Sequence, residues 1–257
     1  MPGSPATITL LVVTALAYLG QVYLGKFHPG FDTDGWFALS NEGLHKGHVW
    51  QLITFQFMHG GFWHIFLNSW AIFVFGRAVE MSVGASRMLR LYFLSGVAGG
   101  LAQMLGILLL PGFFSDDIVL GASAGALGLV AAFAVLYPNQ RLMLLLFFVI
   151  PLKMKARTLA RLFVVMSLFG ILLPKLNGLF LMVMGFFSQY FPALITWLLV
   201  GYTQFAEMTN NVAHAAHLGG IVAGTLIARR WIFRYREPAP PVILDAKSTL
   251  NITPARD

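Results

Sequence analysis

The chain has 257 residues, 58% of them hydrophobic and 11% charged, with a mean hydropathy of +0.75, a usage foreign to a water-soluble domain of this length. A net charge of +7 would suit nucleic acid, but the basic residues stand beside apolar runs, where they read as orienting charges at a membrane. With no cysteine in the chain, disulfides, thiolate catalysis and cysteine-ligated metals are excluded together.

A hydrocarbon core of ~30 Å takes about 20 helical residues to cross. Apolar runs near that length occupy 8–24, 62–82, 89–110, 121–137, 158–173 and 210–228, and they predict an all-α, polytopic membrane helical bundle with six spans. Ala15-Leu16-Ala17 resembles a signal-peptide cleavage site, but no Lys or Arg precedes the first run, so it reads as a span. The connection 25–48 mixes Lys26 and Lys46 with Asp32, Asp34 and Glu42, and its Trp36, Phe37 and Leu39 make it amphipathic. Arg87 and Arg90 follow the second span, Asp116 and Asp117 the third, and Arg141, Lys153, Lys155, Arg157 and Arg161 the fourth. Arg229, Arg230, Arg234 and Arg236 follow the last. Basic residues on alternate connections predict both termini in the cytoplasm and an even number of spans.

A further apolar stretch, 176–203, would reverse that orientation if it crossed fully. Its neighbours Pro174, Asn177, Gly178 and Pro192 suggest a membrane-dipping hairpin or a span extension instead. Residues 1–236 thus read as one membrane domain, and 237–257, with Pro238, Pro240 and Pro241, as a disordered cytoplasmic tail.

Polar side chains at membrane depth are costly and point to function. Gly121-Ala122-Ser123-Ala124-Gly125 opens span four, with Ser123 a candidate nucleophile or a helix-packing residue within a small-xxx-small pattern. The same five residues match the G-x-S-x-G elbow of soluble hydrolases, but that elbow requires a preceding strand, and no strand fits this sequence. His214 and His217 open the last span. A His in lipid stays neutral and can take a proton from a hydroxyl; packed rings and a metal pair are the alternatives, and no H-E-x-x-H is present. Ser123 lies about 22 Å above Pro138 and His217 about 18 Å above Arg229 at ~1.5 Å per residue, so both fall in the outer half of the bilayer. Gly121 and Gly125 on one helix, with Gly220 and Gly224 on the other, would let the backbones close in. His64 and Asn68, four apart, share a helical face and can donate hydrogen bonds to an oxyanion or act as interhelical polar glue. Arg77 and Glu80 read as a helix-end anchor.

Together these segments resemble the rhomboid family of intramembrane serine proteases over about residues 7–232. The family's H-x-x-x-N is present as His64 to Asn68, its G-x-x-x-E as Gly76 to Glu80, its G-x-S-x-G as Gly121 to Gly125, and its A-H-x-G-G as Ala216 to Gly220. The resemblance implies a six-helix rhomboid-like core, Ser123 as nucleophile, and His217 as base and then acid without a carboxylate orienter. His64, Asn68 and the Ser123 amide would form the oxyanion hole. It also implies an outward-facing water-accessible cavity, single-span or other membrane-protein substrates in the lipid bilayer, and neither cofactor nor metal nor nucleic acid. A bacterial inner membrane is the expected location. Two positions depart from the family: Leu127 stands one turn after the serine where many members have an aromatic residue, and Gln51 follows Trp50 where many have Arg. The stretch 174–208 is also longer than expected. The rival functions are a catalytically silent rhomboid-like client-binding protein and a transporter.

Overall fold

A computed structural model describes residues 3–110, 118–146, 150–200 and 212–234. Asp116, Asp117, residues 201–211 and the tail 237–257 lie outside the described residues. Six long helices carry the described bundle: α1 (Pro5–Phe27), α2 (Phe62–Val83), α3 (Ala85–Leu109), α4 (Ser123–Leu136), α5 (Ala156–Ser188) and α6 (His214–Arg234). Each overlaps one of the six apolar runs. Helices α1, α2 and α3 are long and apolar enough to cross a bilayer, whereas α4 has 14 residues. At ~1.5 Å per residue α4 spans about 21 Å, less than the ~30 Å core.

Helix α4 is the centre of the bundle, buried without interruption from Ala124 to Ala134. A helix apolar on every side belongs inside others, and its Ala and Gly side chains let α3 and α6 approach its backbone. A Cβ on Gly220 would collide with the Ala124 carbonyl, one on Gly224 with the Gly128 carbonyl, and one on Gly128 with Ser95. Gly220 and Gly224 thus do close the gap to α4, but onto Ala124 and Gly128. The expected partners serve other contacts: Gly125 packs on the Tyr92 ring of α3, 2.7 Å from its ideal Cβ position, and Gly121 lies in a turn before the helix.

The end of the bundle where α1 begins and α2 stops is tied by side chains. Glu80 at the end of α2 accepts from the amides of Ala6 and Thr7 at 3.0 and 2.8 Å and from the Thr7 hydroxyl at 2.6 Å, filling orphan donors at the positive end of α1. Glu80 is buried, so the anchor read from sequence is a capping carboxyl. Replacing it by Ala strands three donors. At the strength of bonds to charged groups, thermal unfolding in detergent should show a loss of about 3 kcal/mol, and Glu80→Gln an intermediate one. Ser82 meets the Tyr137 hydroxyl at 2.8 Å, joining the ends of α2 and α4.

Two departures from the sequence reading lie around α5. The absence of strands is corrected by an antiparallel ribbon, β1 (Arg141–Leu146) and β2 (Ile150–Lys155). The Leu-rich run carries no β-branched signal; Pro138 stops α4, and amides of Ala156 and Arg157 donate to the Gln140 and Pro138 carbonyls at 2.9 and 3.3 Å, pinning the ribbon's two ends together. The second concerns 176–203: α5 continues unbroken past Pro174 to Ser188, and residues 192–200 form a further helix. A 33-residue helix is about 50 Å long, so Pro174 does not interrupt the chain; the break falls at 189–191, between the two helices.

The connection after α1 folds through three short helices, Thr33–Phe37, Asn41–His45 and Gln51–Thr54. Asp32 and Ser40 cap the first two by accepting from the Gly35 and Gly43 amides. Gln51, one of the two departures from the family pattern, is fully buried and holds this loop together. Its Nε2 donates to the Gly35 carbonyl at 2.8 Å, its Oε1 accepts from the Ser40 amide at 3.3 Å, and its amide fills the space over Gly43. Leu39 and Val119 exchange backbone hydrogen bonds at 2.9 and 2.8 Å, fastening the loop to the chain that enters α4.

Candidate active site

That fastening sets the turn before Ser123. Gly121 has φ +121°, a region L side chains rarely adopt, and its amide donates to the Phe55 carbonyl at 2.9 Å. A Cβ at Gly121 would stand 2.6 Å from His64 Nε2 and 3.8 Å from Asn68 Nδ2. The imidazole and the amide of α2 therefore converge on the bare face of this turn, two residues before the serine. The Gly60 amide donates to His64 Nδ1 at 3.3 Å, which leaves Nε2 as the protonated nitrogen of a neutral ring. A donor thus faces the turn.

Ser123 is half-buried, and its Oγ lies 2.8 Å from His217 Nε2, although 94 residues separate the two in the chain. His214 turns elsewhere: its ring occupies the space that a Cβ on Gly170 of α5 would need, and it meets the His217 ring edge-on at 6.0 Å. The structure thus brings His217, not His214, to Ser123. Leu127 is buried in the core. With no aromatic ring there, backbone packing fixes α6: Gly219 lies against the Ala98 carbonyl and the Gly99 Cα, each 2.9 Å from its ideal Cβ, and Gly99 against the Ala216 carbonyl.

His59 has no role in the sequence reading, yet it backs this cluster. It is 2% exposed, its amide donates to Gln21 Oε1 of α1 at 3.0 Å, and its ring stands edge-on to His64 at 5.1 Å. Its Nδ1 lies 3.2 Å from the Phe57 carbonyl. Burial, with the nearby His64 ring, lowers its pKa to about 4. Because the folded value lies below the unfolded one, the unfolded chain binds more protons between about 6.5 and 4, so stability is full above the upper value and falls as pH drops through this window. In acid unfolding curves the loss near pH 4 should be smaller in His59→Phe than in the parent by roughly 3 kcal/mol. Only its spacing, five residues before His64, hinted at this.

A profile described as "Rhomboid domain" matches residues 46–177, just over half of the chain. The chain belongs to the rhomboid family. The matched region includes His64, Asn68, Glu80 and Ser123; His217 lies beyond it and joins through the geometry above. Among similar proteins, "Putative rhomboid protease YdcA" of Bacillus subtilis is 36% identical over 102 residues, 39% of this chain and 48% of that protein. "Rhomboid-related protein 3" of Homo sapiens is 33% identical over 130 residues, 49% and 30% of the two chains. "Inactive RHOMBOID-like protein 8" of Arabidopsis thaliana is 30% identical over 95 residues, 37% and 27%. The chain spans less than half the length of these curated relatives. Rhomboids by name include proteins called protease and proteins called inactive, so activity must be argued from this chain's own site. Family and apolar helices together make it an integral membrane protein.

Proposed function

We propose that this rhomboid is a serine endopeptidase that cuts membrane proteins in or near their transmembrane segments, using Ser123 and His217. The observation that carries the reading is the 2.8 Å contact between His217 Nε2 and Ser123 Oγ. A neutral His217 takes the Oγ proton as Oγ bonds to the scissile carbonyl carbon, then gives it to the departing amine; water, deprotonated by the same ring, releases the acyl group and restores the hydroxyl. Negative charge on the carbonyl oxygen would meet His64 Nε2–H, the Asn68 amide and the Ser123 N–H at the start of α4. The small contact surface at Gly121 leaves room for that oxygen.

A helical backbone satisfies its own hydrogen bonds and hides its carbonyls, so the expected substrate is a span with small or helix-breaking residues near the outer boundary. Arg87, Arg90, Arg157, Arg161, Arg229 and Arg230 lie at the end of the bundle shared by the start of α1 and the end of α6. The positive-inside rule places that end in the cytoplasm, with the reacting groups toward the opposite face of a bacterial inner membrane.

Purified chain in liposomes is expected to cut a single-span reporter, with or without a metal chelator, while Ser123→Ala does not. Binding of the reporter without cleavage by the parent chain would favour the catalytically silent client-binding reading.

A further inference from the structure

The ribbon between α4 and α5 is not used by this reading, and its sequence is unusual for a surface connection. From Leu142 to Leu152 no residue is charged or polar, while Arg141 and Lys153 bracket the run. The register pairs Arg141 with Lys155 and Met143 with Lys153 on alternate positions, and Leu142 with Met154 between them. Leu142 and Met154 pack into the inner core, and Arg141, Lys153, Lys155, Met143, Pro151 and Leu152 are exposed. One side of the ribbon's root is thus seated on the bundle and the other is basic, with apolar residues beyond.

The surroundings share this charge. Lys155 leads straight into α5, whose first turns expose Arg157 and Arg161, and Arg229 and Arg230 are exposed beside Ala228, which packs in the same core as Ala156 and Leu159. Among the described residues at this end the acidic group is Glu80, buried on Thr7. A two-stranded ribbon is marginal in water, and its unpaired apolar edges invite other chains. The layer where acyl chains meet headgroups accepts apolar side chains to a depth of about 5–10 Å and attracts basic residues when the lipid is anionic.

We propose that the ribbon lies in the membrane interface at the basic end of the bundle, binding anionic phospholipid. Met143, Pro151 and Leu152 enter the acyl boundary, and Arg141, Lys153 and Lys155, with Arg157 and Arg161, engage headgroup phosphates. Charge complementarity together with apolar exposure selects this partner over a second protein chain, which would meet a ring of like charges if it were another copy.

The absence of cysteine makes the test direct: Met143→Cys carries a solvatochromic dye on the full chain in liposomes. Adding phosphatidylglycerol to phosphatidylcholine should shift the emission to the blue and lower quenching by acrylamide, whereas inorganic phosphate in the buffer should do neither. Neutralising Arg141, Lys153 and Lys155 to Gln, all exposed, should weaken the anionic-lipid response by about fivefold per residue with the melting temperature unchanged. A dye quenched equally in both lipids would overturn the proposal, as would a triple variant that responds like the parent. Shielding that depends on protein concentration in detergent would instead assign the ribbon to self-association.

Discussion

Ser123→Ala and His217→Ala should each lower cleavage of a membrane reporter by on the order of 10⁴-fold or more, and the double variant should fall little further, because a nucleophile and its base act as one unit. His214→Ala is the informative companion. Its ring faces Gly170 and only borders His217 at 6.0 Å, so the loss should stay within roughly tenfold, arising from a less firmly held His217 ring. Initial rates at several reporter concentrations would separate these cases. A His214→Ala loss equal to that of His217→Ala would reassign the base.

Gly121→Ala should have the second largest effect, without touching a reacting atom. The added methyl would stand 2.6 Å from His64 Nε2 on a backbone at φ +121°, so either the turn or the imidazole must move. Displacing one oxyanion donor costs about 10²–10³ in turnover, and Asn68→Ala should lose a comparable amount while leaving the backbone unstrained. Gly60→Ala supplies the contrast. A Cβ there meets Leu120 Cδ1 at 3.7 Å and His64 Nδ1 at 3.8 Å, ordinary contacts, so its activity should remain within about threefold of the parent. Equal losses at the two glycines would mean that loop stiffness, not the position of His64, is what Gly121 provides.

The spans were legible because a helix that must bury all its backbone polar groups in lipid announces itself by length and apolarity. The polar residues were legible for the complementary reason: Ser123, His217, His64 and Asn68 stand out against an apolar background. Arrangement was harder to read. Gly121 and Gly125 share one small-residue pattern, yet one shapes a turn under His64 and the other admits Tyr92; spacing alone carries no dihedral angle. Gln51 stands where many family members have Arg, and its role rests on carbonyl and amide partners 16 and 11 residues away, which no local pattern reveals. The β1–β2 ribbon was not legible because the Leu run of β1 offers neither alternation nor β-branched residues, and its pairing with β2 is imposed by the way α4 ends and α5 begins.

The central claim, that Ser123 is a nucleophile activated by His217, is tested most directly by treating the purified membrane-embedded chain with a fluorophosphonate and locating the adduct by peptide mass spectrometry. The account predicts a single adduct on Ser123, retained in His214→Ala and lost in His217→Ala. An adduct on another residue, or labelling of Ser123 that is indifferent to His217, would contradict it.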